Sequence, residues 1–490
     1  MKKEFLLLFL SCAFVQVHSQ QIKVSYPASI HREKFSGHVL LYLSKENRTP
    51  ITGMVGLEIF PCFAMQVKNI APGQTVTFTD AAVSYPASLS NIERVEYYVQ
   101  AVWDRNLGGR SIVASEGNLY SNPQKINLTK DYKKVFTLLA NKKMEGLSFN
   151  ETDFTKELKA PSKLLSDFHS KKMTVDAAVV LPKDYFKDST KKYPVLFEVF
   201  GYGGDYHEFS GSPISADPLD TIPVIRVYLD GNCALGHSVY ANSQNNGPWG
   251  DALTKEFIPA LEKQFRCNGA RLLGGHSSGG FSVLWLQTHY PTVFAGCSSS
   301  APDPVDFRSF GRVNLYEDKN MFYDKDSALN KVATIAGYFP WAYLKNIYQA
   351  ENVVYRGEQI HSFDAVFSQK DKTGEPASLC NAATGVQDTL VRNHWKQYDI
   401  SLYLRNNWSQ LKPSLQDKVR VSVGNQDNFL LNYAVKLLDA EMKKLNSGFQ
   451  FAYYPGDHFT VATKQYRKDG TDFLKARYLE WLKTSGMESK

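Results

Sequence analysis

Beyond its first fifteen residues the chain has no long hydrophobic run. None approaches the roughly 20 apolar residues that span a bilayer, so no integral membrane segment is expected in the mature protein. Dense charge of one sign is also missing. Lys and Arg total 56 against 49 Asp and Glu, and the net +7 is spread along the whole chain. Without a Lys/Arg block, nucleic acid is not an expected partner. There is no HExxH motif, no P-loop and no His/Cys cluster at ligand spacing, so neither metal nor cofactor is expected. Cysteine is scarce, with six in 490 residues. If Cys12 leaves with a leader, Cys62, Cys233, Cys267, Cys297 and Cys380 remain. That odd number without a CxxC element allows at most two disulfides. Scattered buried thiols, and a fold held by its core, are the plainer reading.

The N-terminus does carry a pattern. Met1-Lys2-Lys3 is basic, and Phe5 to Val15 is apolar, as long as a signal h-region and too short to cross a bilayer. Val17-His18-Ser19 then supplies small or neutral residues. A signal peptide over 1–20, cleaved near Ser19–Gln21, is expected, with a secreted or periplasmic mature protein. Cys12 is a poor lipidation site because Phe9 stands where a lipobox has Leu. Asn47, Asn127, Asn150 and Asn407 lie in N-x-S/T sequons, which matter only in a eukaryotic secretory pathway.

The length suits two or three domains at the usual ~100–200 residues each. From 21 to 128 the chain reads as short strands. Gly37–Ser44, Thr75–Asp80 and Arg94–Asp104 are β-branched or aromatic runs separated by Gly, Pro, Asn and Asp. An all-β sandwich of immunoglobulin-like size is expected there, followed by a charged connector with some helix over 129–161. From 162 to 490 strand-like and helix-like runs alternate, the mark of a mostly parallel, doubly wound α/β sheet. Tyr193–Phe200 and Thr221–Asp230 are continuous apolar strands. Gly250–Phe265 is helical, with Leu253, Phe257, Leu261 and Phe265 recurring every fourth residue. Ala270–Gly274, Val293–Ala301, Lys418–Val423 and Gly448–Tyr454 read as strands. Gly279–Tyr290, Phe429–Leu445 and Asp472–Leu482 read as helices. The interval between Ala301 and Lys418 is far longer than a crossover needs. An insertion over about 306–415 is expected, serving either as a lid or as helices packed away from the site.

The chemistry concentrates in Gly275-His276-Ser277-Ser278-Gly279. This G-x-S-x-G stands between a strand and a helix, the context in which it forms the nucleophile elbow of α/β-hydrolases. The turn is so tight that the residues flanking the nucleophile must be small. It lifts the Ser277 hydroxyl out of the sheet at a helix N-terminus, where the Ser278 amide faces the charge that develops in acyl transfer. A serine hydroxyl needs a base, and the base needs an acid to orient it. In this fold the chain order is Ser, acid, His. Of the histidines after Ser277, His289 lies in the next helix, and His361 and His394 fall in the insertion. His458 follows the strand Gly448–Tyr454, where the base belongs. Asp427 follows the preceding strand, where the acid belongs. Asp457 is rejected, because it can hardly turn its carboxylate onto its neighbour's ring. The second oxyanion donor should come from Gly201-Tyr202-Gly203-Gly204, after Tyr193–Phe200. The Tyr202 amide is the first choice and Gly203 the alternative. His237, Trp249, His276 and Gly203 are candidate pocket walls at the carboxyl edge of the sheet.

With Asn246-Gly247-Pro248-Trp249-Gly250-Asp251, Gly275-His276-Ser277-Ser278-Gly279-Gly280 and the Asp427 and His458 loops in view, the stretch Tyr193–Phe459 resembles the Putative esterase superfamily. That group holds esterase D-like, feruloyl and enterochelin-esterase-like enzymes, and a preceding β-sandwich is similar to the last of these. The resemblance implies metal-independent ester hydrolysis through an acyl-enzyme on Ser277, Asp427 and His458. The expected partner is a small-molecule or saccharide ester, such as an acyl or feruloyl carbohydrate or a siderophore lactone. Gly-Tyr-Gly-Gly departs from the His-Gly-Gly-Gly loop of many lipases, so no family substrate transfers directly. The sequence leaves the oligomeric state open. One rival is a serine peptidase of the prolyl-oligopeptidase type, although the residues before the catalytic domain show no propeller repeats. The other is an inactive exported carbohydrate-binding protein, which would have no need of an intact Ser, Asp and His set.

Overall fold

The computed structural model describes residues 20–47, 50, 57, 60–112, 115–131 and 134–486. Apart from Gln20, the signal-peptide reading falls outside the described residues. The chain forms two compact units. One comprises Met1–Ile51, Phe60–Trp103 and Tyr120–Lys142, the other Thr52–Ile59, Asp104–Leu119 and Lys143–Lys490.

The first unit is built on two sheets. In the smaller, Gln21–Ser25 pairs antiparallel with Val76–Phe78 and parallel with Val135–Leu139. Its alternation is plain: Ile22 and Val24 are fully buried while Gln21, Lys23 and Ser25 are not. Val135–Leu139 lies inside the stretch read as a connector and completes this sheet. The larger sheet centres on Glu96–Asp104, Phe35–Ser44 and Cys62–Ile70. Trp103 is wholly buried and meets Tyr26 and Phe35 edge-on, with ring centroids 4.8 and 4.9 Å away.

The second unit holds an eight-stranded sheet: β1 (Thr155–Ser162), β2 (Met173–Val180), β3 (Tyr193–Val199), β4 (Ile225–Leu229), β5 (Cys267–His276), β6 (Gly296–Ser300), β7 (Val419–Gly424) and β8 (Gln450–Tyr454). Their order across the sheet is β1-β2-β4-β3-β5-β6-β7-β8. β2 runs antiparallel to both β1 and β4, and every other pairing is parallel. This is the α/β-hydrolase fold. β3 is buried along nearly its whole length because both faces are covered. Val195, Phe197, Val199 and Leu273 enter one core cluster. Leu196, Ala270 and Leu272 enter another with Phe473, Leu474 and Tyr478 of the last helix. Pro194 has no N–H to donate, and the β3–β5 register shifts between Tyr193 and Val195.

Two helices differ from expectation. The Gly250–Phe265 segment is helical from Trp249 to Gln264 but passes through a π-helical turn at Leu253–Phe257. The last helix begins at Lys464, eight residues early, and runs to Ser485. The helix runs through Gly470. A Cβ there would stand 3.2 Å from Ser298 Oγ, so the glycine admits the helix close against β6. Thr463 caps its start by accepting from Tyr466 N. Between β6 and β7 lie a hairpin, Lys331–Ile335 with Phe339–Tyr343, and four helices: Leu344–Val354, Gln359–Phe367, Thr389–Trp395 and Ile400–Leu415. Among the described residues no helix is long and apolar enough to cross a membrane. Cys233, Cys267, Cys297 and Cys380 are free thiols.

Candidate active site

β5 ends at His276, and the helix Ser278–His289 begins two residues later. Only Ser277 spans the gap, at φ 59° and ψ −125°. That backbone is costly for a residue with a Cβ, of order 1–3 kcal/mol, and persists only where the surroundings enforce it. Here the glycines do so. A Cβ on Gly279 would lie 2.0 Å from Val199 O, and one on Gly275 would lie 2.4 Å from Gly279 O. A Cβ on Gly280 would lie 2.5 Å from Ser300 O. The helix therefore starts pressed against β3 and β6, with Ser277 N donating to Ser300 O at 3.0 Å. The amide of Ser278 is one of the first helical N–H groups, which have no partner within the helix.

Asp427 and His458 follow β7 and β8. The His458 ring places Nδ1 2.7 Å from Asp427 Oδ2, and both side chains are buried. Asp427 Oδ1 accepts from Phe429 N at 2.9 Å and Leu431 N at 3.3 Å, which fixes the carboxylate. His458 N donates to Asn428 Oδ1 at 3.0 Å. The Phe429 ring stands edge-on to the imidazole, 4.9 Å away at 87°. Ser277 and His458 line one cavity. No hydrogen bond joins Ser277 Oγ to the imidazole among the described residues, and without substrate such contacts are commonly long.

The cavity has a volume of about 380 Å³, within the range of small-ligand sites. Its wall is mainly apolar: Phe310, Val313, Leu344, Ile347, Phe363 and Phe429 among others. Many of these come from the stretch between β6 and β7, so that insertion shapes the site. Three carboxyl groups also line it. Burial pushes Asp303 up to about 6. Burial first, then the neighbouring Glu358, lifts Glu351 well above the usual range, and burial raises Glu358. Gln359 Nε2 lies 3.2 Å from Ser278 Oγ and 3.4 Å from Asp303 Oδ2, linking the inserted helix to the elbow. Sequence reading missed Asp303, Glu351, Glu358 and Gln359. They sit in no motif, and only the tertiary path of the insertion brings them to Ser277.

The remaining predicted residues divide. Tyr202 and His276 line the cavity. His276 Nδ1 lies 2.7 Å from Ser300 Oγ, and its ring is 4.5 Å from that of His458. Burial, then the proximity of His458, lowers its pKa to about 4, so the ring is neutral near pH 7. His237, Trp249 and Gly203, expected as pocket walls, are not among the residues that line this cavity. His237 is buried with Nδ1 accepting from Val239 N at 2.9 Å, a local turn contact. Trp249 donates to Asn246 O and packs against Tyr240. Gly203, at φ 90°, turns the chain after Tyr202.

A family model described as Putative esterase matches residues 169–469. Among solved structures, S-formylglutathione hydrolase from Agrobacterium tumefaciens is 14% identical, covering 68% of this chain and 97% of that one, with a TM-score of 0.39. The ferulic acid esterase AmCE1/Fae1A from Anaeromyces mucronatus is 14% identical, covering 68% and 92%, at 0.34. Dipeptidyl peptidase 4 from Porphyromonas gingivalis is 12% identical, covering 89% of this chain and 48% of that one, at 0.36. No curated protein matches the sequence.

Proposed function

The chain belongs to the Putative esterase family and is a serine hydrolase of carboxylic esters, and from that premise we propose that Ser277, Asp427 and His458 carry the reaction. His458 takes the proton of Ser277 as its hydroxyl attacks the ester carbonyl. Asp427 holds the ring with Nδ1 protonated, so that Nε2 faces the serine, and it stabilises the imidazolium that forms. The amides of Ser278 and Tyr202 receive the oxyanion. His458 then protonates the leaving alcohol, and water releases the acid by the reverse sequence.

The observation that carries this reading is the buried Asp427–His458 pair opening onto the same cavity as a strained Ser277. The apolar wall supports a substrate with an aromatic or aliphatic acyl group. An acyl or feruloyl carbohydrate, or a siderophore lactone, has an acyl part of this kind. The basic start and short apolar run of residues 1–20 support export to the periplasm or medium. Intact-mass analysis of the expressed protein tests this: a mature chain starting near Ser19–Gln21 is expected, and an uncleaved Met1 would sink it. Hydrolysis of short-chain and feruloyl nitrophenyl esters, with Ser277→Ala beside the wild type, tests the chemistry. Equal rates would overturn the assignment.

A further inference from the structure

The loop Gly201-Tyr202-Gly203-Gly204 contains one side chain. Three glycines leave its backbone free to sample many conformations, while an oxyanion donor must be held in place before the charge appears. The loop lies directly against the nucleophile: a Cβ on Gly201 would stand 3.3 Å from Ser277 Cβ. Asn232 Nδ2 holds the far end of the loop by donating to Gly204 O at 3.1 Å, and Gly204 N donates to Gly201 O at 3.2 Å; the Tyr202 side chain adds a hold at the donor residue itself. Its hydroxyl lies 2.8 Å from Gly357 O and 3.0 Å from Glu358 Oε2. The guanidinium of Arg110 lies over its ring, 4.5 Å from the centroid.

Arg110 belongs to Asp104–Leu119, which clusters with the second unit although the strands before and after it in sequence belong to the first. One buried side chain, that of Arg356, makes several of the contacts that hold the segment. Arg356 forms a two-pronged ion pair with Asp104, Nε and Nη2 each 2.6 Å from a carboxylate oxygen. Its Nη1 donates to Gly109 O at 2.5 Å, Arg110 O at 3.2 Å and Ala234 O at 3.0 Å. Arg110 Nη1 in turn donates to Gly357 O at 3.2 Å, the carbonyl that Tyr202 also meets. A Cβ on Gly357 would lie 2.1 Å from Arg110 O, so this close approach requires glycine.

We infer that Arg110 is a positioning residue for the reaction proposed above, clamping the Tyr202 ring so that its backbone amide is preorganised for the oxyanion. The inference rests on the esterase reading of Ser277. The planar guanidinium supplies a face-on contact that an ammonium does not reproduce.

The test is steady-state kinetics on a soluble nitrophenyl ester with Arg110→Ala, Arg110→Lys, Tyr202→Phe and the Arg110→Ala/Tyr202→Phe double variant, beside Ser277→Ala. Loss of an entire oxyanion donor costs ~10²–10³ in kcat. A loosened donor should cost about tenfold, with KM changed less than about twofold. Affinity for a boronic acid transition-state analogue should fall in parallel with kcat/KM. Arg110→Lys should fall between wild type and Arg110→Ala. The double variant should lose less than the product of the single losses, because both act on one loop. A loss seen only in KM, or an analogue affinity that does not move, would overturn the inference. Ser277→Ala separates the two readings: if it abolishes turnover while Arg110→Ala keeps the wild-type kcat, this inference alone fails.

Discussion

Asp427 Oδ2 lies 2.7 Å from His458 Nδ1, and the Phe429 ring packs perpendicular to that imidazole. By accepting from Nδ1–H the carboxylate fixes which tautomer faces Ser277, and its charge stabilises the imidazolium that forms. Asp427→Asn should lower kcat by about 10⁴ with the fold intact, and Ser277→Ala by a comparable or larger factor. Initial rates on nitrophenyl esters, with circular dichroism to confirm folding, check both. A tenfold loss or less in a folded Asp427→Asn protein would remove Asp427 from the triad.

The cavity wall sets a second expectation. Ile347 is buried and faces the cavity from the inserted helix Leu344–Val354. Ile347→Phe fills part of the roughly 380 Å³ available. Discrimination by apolar contact is worth ~1–3 kcal/mol per group. The ratio of kcat/KM for octanoyl over acetyl esters should therefore fall by about 10-fold or more. An unchanged ratio would show that the acyl group binds elsewhere.

The elbow glycines predict a structural failure. Gly279→Ala places a methyl 2.0 Å from Val199 O, a rigid backbone atom of β3. Separating the helix from the sheet would cost on the order of several kcal/mol. A sharp drop in the urea midpoint, or no soluble protein, is expected. Gly211→Ala, whose Cβ would meet nothing within 4 Å, should show only the milder strain of its φ of 72°. Equal effects would count against the approach to Val199 O as the cause.

Asp303 makes stability depend on pH. Burial raises its carboxyl from 3.8 to about 6, so the folded state holds the proton more tightly than the unfolded chain. The contribution is full below the unfolded value and is lost as pH rises through about 6. Asp303→Asn removes this loss. The melting temperature of the variant relative to wild type should rise between pH 4 and pH 7, by differential scanning calorimetry. A constant difference across that window would count against the raised value.

The sequence alone specified the chemistry through local rules. Gly275-His276-Ser277-Ser278-Gly279 between a strand and a helix names the serine, because only small neighbours permit that turn. Chain order and post-strand position then select Asp427 over Asp457, and His458 over His289, His361 and His394. Strands such as Tyr193–Val199 were equally legible, since burial on both faces leaves a continuous apolar run. Contacts between residues remote in sequence could be settled only by tertiary structure. Asp104 and Arg356 are 252 positions apart and Arg110 and Gly357 are 247 apart, and no periodicity relates them. Nor could local pattern distinguish His276, which reaches the cavity, from His237, which does not. Each is a histidine that directly follows a glycine and ends a strand, and the path of the chain between β6 and β7 determines where the cavity opens.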